Sequence, residues 1–260
     1  MKATITTVLT LTLGMIGLAL TTATAATVTD NFDTNHDYLT AGVSGTIWSG
    51  MVNTSAWNVL GANTPNAGTL TMALGANDVG WDASHANAPI LYVTATGDFD
   101  AAINVAASTA GTYLNGGLIA RAANGADGGP GEDLLEYCYT NFGVANLTSR
   151  TLDNGVQTDN NQEWSCPFIR LTRTGNTFGF YSKNAEGDAW SLWQNIVRTD
   201  LAGVPLQVGL YYANYSDLDG GMQFDSFSLT TPAVPEPSAL LILGCGFLFG
   251  GRRFYRRRAI

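Results

Sequence analysis

The sequence predicts an all-β fold, a two-sheet antiparallel sandwich of jelly-roll-like kind, and three observations carry that expectation. Apolar residues recur with period two in several short runs, as they do in half-buried strands. Turn signals rich in glycine and asparagine separate those runs. Between Ala26 and Thr231 no stretch shows the 3.6-residue apolar period of a long helix.

The elements follow in order. Met1-Lys2, an apolar stretch from Val8 to Leu20 and the small-residue site Ala23-Thr24-Ala25 have the three parts of a secretory signal. Residues 1–25 are therefore expected to form a signal helix, cleaved so that Ala26 becomes the first residue; a short membrane anchor is the alternative. The span 26–231 reads as one domain of strands. Leu70, Met72 and Leu74 share one face of a strand, and Phe99, Ala101, Ile103 and Val105 share one face of another. Thr174-Gly175-Asn176 parts Phe168–Arg173 from Thr177–Lys183, the pattern of a hairpin. Phe178 and Phe180 give the second of these strands an inward face, and Met222, Phe224 and Ser226 do the same near the end of the domain. Residues 232–260 form a separate tail. It holds Val234-Pro235-Glu236-Pro237, the apolar run Ala239–Gly251 and a cluster of arginines, Arg252, Arg253, Arg256, Arg257 and Arg258.

The 13-residue apolar run of the tail would extend about 20 Å as a helix, short of the hydrocarbon core of about 30 Å. It is expected to insert as a short membrane helix, with the arginine stems reaching the far interface and held on the cytoplasmic side. The signal at the other end sends the domain outward, so the two ends predict one topology.

Charge narrows the function. Between Ala26 and Thr231 there are six basic and 20 acidic side chains, a balance of about −14. Such a surface repels phosphate and excludes nucleic acid as a partner. It is compatible with calcium or with neutral sugars. Three cysteines are present; Cys245 lies in the tail, which leaves Cys138 and Cys166 in the exported domain. In an oxidising compartment these two are expected to pair as a disulfide, a bridge worth about 2–4 kcal/mol. Two separate buried thiols are the alternative.

The tail resembles the PEP-CTERM sorting signal in its motif Val234-Pro235-Glu236-Pro237, its short apolar segment and its arginine cluster, in that order. The resemblance implies processing by an exosortase, a membrane cysteine protease. It also implies a transient stay in the inner membrane and a final place at the cell surface or in the matrix. It further implies a Gram-negative host that makes extracellular polysaccharide.

The domain is similar to concanavalin A-like sandwiches in the hairpin from Phe168 to Ser182 and in Gly187-Asp188-Ala189-Trp190. Asp30-Asn31-Phe32-Asp33, Thr96-Gly97-Asp98-Phe99-Asp100 and Gln223-Phe224-Asp225-Ser226-Phe227 resemble other strands of that group. The resemblance implies a sandwich that serves lectins, glycanases and adhesive modules. Some glycanases of this fold carry Glu-x-Asp-x-Glu on a strand, which places the acidic groups on one face, with nucleophile and acid about 5–5.5 Å apart. Here Glu132-Asp133-Leu134-Leu135-Glu136 has leucine at the central position. Neither Gly-x-Ser-x-Gly nor a phosphate-cradling loop occurs in the domain. The sequence therefore predicts a non-catalytic protein that binds or scaffolds extracellular polysaccharide, with a purely structural surface protein or a glycan hydrolase as alternatives. Sugar binding needs exposed aromatic faces beside polar partners. Trp81, followed by a polar loop, and Trp190 are the candidates. Calcium needs several oxygen ligands; Asp30 and Asp33 near the first strand and Asp225 in the last would supply them if the terminal strands pair.

Overall fold

The structure is a computed structural model that describes residues 25–62, 68–75, 78–85, 87–108, 113–123, 132–142, 145–162, 166–215 and 221–232. The expected signal helix, its cleavage site at Ala23, and the sorting motif, membrane helix and arginine cluster of the tail lie outside these residues. Among the described residues no helix is long and apolar enough to cross a membrane.

Ala25–Pro232 is one compact unit. Its elements run β1 (Ala26–Asp30), β2 (His36–Asp37), the single-turn helix α1 (Tyr38–Ala41), β3 (Gly50–Val52), β4 (Trp57–Ala62), β5 (Leu70–Leu74), β6 (Ile90–Ala95), β7 (Phe99–Ser108) and β8 (Leu114–Ala122). They continue with β9 (Leu134–Asn141), β10 (Ala145–Asp153), β11 (Val156–Gln162), β12 (Phe168–Thr174), β13 (Thr177–Lys183), β14 (Ser191–Val197), β15 (Leu206–Asn214) and β16 (Gly221–Thr231). The first sheet has the order β14-β13-β12-β7-β16-β5-β4-β2, and β1 also pairs with β16. The second has the order β11-β10-β9-β8-β15-β6-β3. Adjacent strands are antiparallel, so the fold class expected from alternation is the one observed.

Alternation explains the core. Leu70, Met72 and Leu74 are buried along β5, and Phe99, Ala101 and Ile103 along β7. Phe178 and Phe180 are buried on β13; Phe180 meets Tyr137 of the second sheet edge-on at 5.4 Å between ring centroids. Each of the leucine, isoleucine, methionine and phenylalanine side chains contributes about 1.5–3 kcal/mol on leaving water. The hairpin of β12 and β13 turns through Gly175 at φ +59°, in the left-handed region that favours glycine.

One expected face changes phase. Ser226 was expected to share the face of Met222 and Phe224, but the next buried residues are Phe227 and Leu229. Register shifts lie at Gln223/Phe224 and at Phe224/Ser226. A bulge inserts a residue and moves the following side chains to the other face. It sits where β16 changes neighbours: Gly221–Phe224 pair with β5 and Phe227–Thr231 with β1.

The two cysteines do not form a disulfide; both are free and buried. Tyr137 points between the sheets, so its neighbour Cys138 points out of the other side of the second sheet. Its Sγ lies 3.7 Å from the Thr148 carbonyl. Cys166 instead rests beside Ser182, which alternates with Phe180 on the inward face of β13. The second sheet separates the two sulfurs. Burial raises both thiol pKa values.

Candidate functional site

The sandwich has two outer faces, and each carries a cluster of chemistry-bearing side chains. On the second sheet, alternation and register put Arg121 of β8, Glu136 of β9, Arg150 of β10, Asp159 of β11 and Tyr211 of β15 on the side away from the first sheet. Glu132, just before β9, joins them through Arg121, whose Nε and Nη2 donate to its two carboxylate oxygens. Arg150 holds Asp159 with two bonds of 2.8 and 3.0 Å, and its Nη1 lies 3.6 Å from Glu136 Oε2. The Tyr211 hydroxyl donates to that same Glu136 oxygen at 2.8 Å. Glu136 is fully buried. Burial lifts its pKa to about 8, against the opposing pull of Arg150 and of the Tyr211 hydrogen bond. Arg150 keeps its charge, with Asp159 as its bidentate partner.

Trp81 roofs this cluster. Its carbonyl accepts from Arg150 Nη1 at 3.0 Å, and the Arg121 guanidinium lies 4.8 Å from the centre of its ring. Val79 pairs with Asn214 of β15, which anchors one end of the covering loop. Asp82 takes three bonds from Ser84 and His85, among them one from the His85 ring at 2.9 Å, and Asp78 meets the other ring nitrogen at 3.0 Å. Burial acts to lower the pKa of His85, but the hydrogen bond and charge of Asp82, joined by Asp78, outweigh it and raise it. Trp81, expected as a surface aromatic, is 0 % exposed. The polar residues after it fold back to clamp the loop, and the indole is left as the apolar plug.

The outer face of the first sheet is open. Trp190 is half-exposed and precedes β14, while Trp193, three residues on and also partly exposed, packs against Tyr137 of the core. The Arg170 guanidinium of β12 lies 5.0 Å from the Tyr181 ring and 5.7 Å from that of Trp190. Its Nε donates to Asp100 of β7 at 2.6 Å. The Lys183 ammonium lies 4.8 Å from the centre of Trp190 and 5.0 Å from that of Phe168. Beside this group opens a cleft of about 350 Å³ lined by Asp98, Asp100, Arg170, Tyr181 and Thr230. Trp190, expected as a ligand contact, thus stands on an accessible face with charged neighbours.

The expected calcium ligands do not come together. Asp30 is occupied within its own loop, accepting from the Phe32 amide at 2.9 Å, the Tyr38 hydroxyl at 3.2 Å and Trp48 Nε1 at 3.0 Å. Asp33 is exposed, and Asp225, exposed on β16, accepts from Asn104 at 2.9 Å. The terminal strands do pair, but Asp30 faces Phe227 in the register, not Asp225. Among the described residues the carboxylates that gather are Asp133, Asp153 and Asp200. Arg198 lies among them, bonded to Asp200 at 2.6 Å and to Asp133 at 3.3 Å, and supplies the positive charge there.

No family model and no curated protein matches the chain. Solved structures do. The GH43 protein BlXynB from Bacillus licheniformis superposes with a TM-score of 0.57 at 14 % identity, covering 79 % of this chain and 39 % of that one. A xylan β-1,4-xylosidase from Bacillus halodurans C-125 gives 0.53 at 12 %, covering 78 % and 39 %. A protein of unknown function from Saccharomyces cerevisiae gives 0.50 at 19 %, covering 65 % and 90 %. The chain therefore spans about two-fifths of the length of those two bacterial proteins, and the likeness shows the β-sandwich fold. It also corrects the expectation of a protein without catalysis. Proteins named as a GH43 protein and as a xylosidase are among the structures that share this sandwich, so the fold gives no support to that expectation.

The sequence reading missed Arg121, Arg150, Tyr211, Arg170, Tyr181 and Lys183. The first had a signal: Arg121 interrupts Leu118-Ile119-Ala120, an apolar strand in which a lone cation needs a buried counter-ion.

Proposed function

We propose that this chain is an exported, polysaccharide-directed protein that takes a glycan along the outer face of its first sheet, with hydrolysis of a glycosidic bond as the reaction class to test. The observation that carries the reading is the group of Trp190, Tyr181, Arg170 and Asp100 beside an open cleft. Sugar rings stack on aromatic faces, and their hydroxyls bond to carboxylate and guanidinium groups. The test is affinity electrophoresis of Ala25–Pro232 against a polysaccharide panel, with release of reducing ends measured on the same samples. Retardation lost in Trp190→Ala supports the reading. No retardation and no cleavage by any polymer would sink it.

A second reading places hydrolysis at Glu132 and Glu136. It is favoured by two carboxyl groups on one face and by the burial that raises the Glu136 pKa, the direction a general acid needs. It requires the Trp81 loop to lift before a substrate reaches either group. Reducing-end release abolished in Glu136→Gln would favour it; unchanged release would remove Glu136 from the chemistry.

The two ends of the chain support export followed by release through an exosortase-type protease of the inner membrane. Removing Val234–Ile260 is then expected to change the fraction of the cell in which the protein is found. Identical fractionation of the truncated and full-length chains would overturn the sorting proposal.

A further inference from the structure

Four of the six cations of the unit are sealed, and their bonding is consumed. Arg121 is paired with Glu132, Arg150 with Asp159, and Arg198 with Asp200 and Asp133. Arg173 donates to the carbonyls of Gly175, Val204 and Leu201. Arg170 reaches water but is neutralised by Asp100. Lys183 is different. Among the described residues it has no carboxylate partner, and its ammonium donates to the Glu186 carbonyl. Phe168 and Trp190 hold it from two sides. An ammonium has three donors, so two remain beyond the Glu186 carbonyl, on a partly exposed side chain next to an aromatic ring that a sugar can use.

We propose that Lys183 is the anchor for an anionic substituent of the glycan, a carboxylate or sulfate ester on a sugar ring that packs against Trp190. This rests on the polysaccharide reading above and names its substrate class. The rings fix the ammonium before the ligand arrives, so little side-chain entropy is lost on binding. Nearby charge sets the limits. Glu186 and Asp188 are exposed in the turn that follows Lys183, and Asp100 balances Arg170. Such surroundings suit one anionic group per few sugars at a single point of contact, and oppose a densely charged polymer.

The test uses Ala25–Pro232, which contains the whole hydrophobic core, with polygalacturonate and its methyl-esterified form as one pair of probes. A sulfated galactan and its desulfated form are the second pair, which separates the two sources of negative charge. The inference expects one charged polymer to bind better than its uncharged partner. Lys183→Ala is expected to weaken that binding about three- to tenfold, Lys183→Arg to restore most of it, and added salt to abolish the preference. Thermal melting of Lys183→Ala should fall only slightly, since cation–π contacts of a partly exposed side chain contribute little to stability. Equal binding of charged and uncharged forms, unaffected by Lys183→Ala, would overturn the inference and leave the polysaccharide reading standing. Binding to none of the four, nor to any other glycan, would overturn both.

Discussion

The two outer faces of the sandwich are made of the same materials, arginines, carboxylates and aromatic rings, and differ in whether water reaches them. On the second sheet, Arg121 and Arg150 lie with Glu132 and Glu136 beneath Trp81, and nearly every donor is spent inside the protein. On the first sheet, Arg170, Tyr181, Trp190 and Lys183 form a comparable set at the solvent boundary. The difference teaches that ion pairs of similar geometry do different work at different depth. A buried pair is costly to break because the group left behind has no water to turn to, whereas an exposed pair is almost balanced by solvent.

The largest effect that would break this contrast is at Arg150. Arg150→Ala leaves the buried Trp81 carbonyl without its donor, while Asp159 still reaches water and the Gln157 amide, and should cost about 1–3 kcal/mol in urea or thermal unfolding. A loss below about 1 kcal/mol would mean that water already enters the cluster, and the two faces would then be alike. Next comes Glu136. Its folded pKa of about 8 stands above the ordinary carboxyl value of 4.5, so between these values the folded state holds more protons than the unfolded one. Stability from this group is full below about pH 4.5 and is lost as pH rises to about 8. Glu136→Gln should flatten that slope, by an amount on the order of a few kcal/mol across the window. An unchanged pH profile in the variant would show that the carboxyl is ionised in the fold.

Legibility in the sequence follows the same contrast. The strands were readable because period-two alternation is local, and Phe99, Ala101 and Ile103 of β7 or Leu70, Met72 and Leu74 of β5 bury as expected. The phase change in β16 was not, because it comes from a change of neighbouring strand that no local pattern reports. The spacing of Trp190 and Trp193 puts them on opposite sides of a strand but does not say which one water reaches, and both are partly exposed. Trp81 was misread because its polar followers looked like solvent contacts, while Asp82 and His85 bond to one another. Which tryptophan is exposed depends on a loop crossing a sheet, and that is a tertiary fact. The cysteines failed for a related reason: an even count says nothing about which side of a sheet each thiol leaves from.

Smaller effects sharpen the contrast at its edges. His85 has a raised pKa between Asp82 and Asp78. Its contribution is therefore full below the ordinary histidine value of 6.5 and is lost as pH rises through the higher folded value. His85→Gln should remove this dependence and raise hydrogen exchange in the Trp81 loop above that of β15. Equal exchange in variant and parent would show that the clasp does not hold the roof.

The smallest effect is expected at Arg170, although its geometry is as good as that of Arg150. It bonds Asp100 through Nε and Nη2 and lies between two aromatic rings, yet both partners are substantially exposed. Water replaces most of what Asp100 loses, so Arg170→Ala should cost no more than about 1 kcal/mol in unfolding. The same variant should still weaken glycan retardation, since it removes the guanidinium that orients Tyr181 and Trp190 beside the cleft. A large loss of stability with unchanged retardation would reverse the assignment. It would make the open face a structural one and leave the second sheet, beneath Trp81, as the place to look for the ligand.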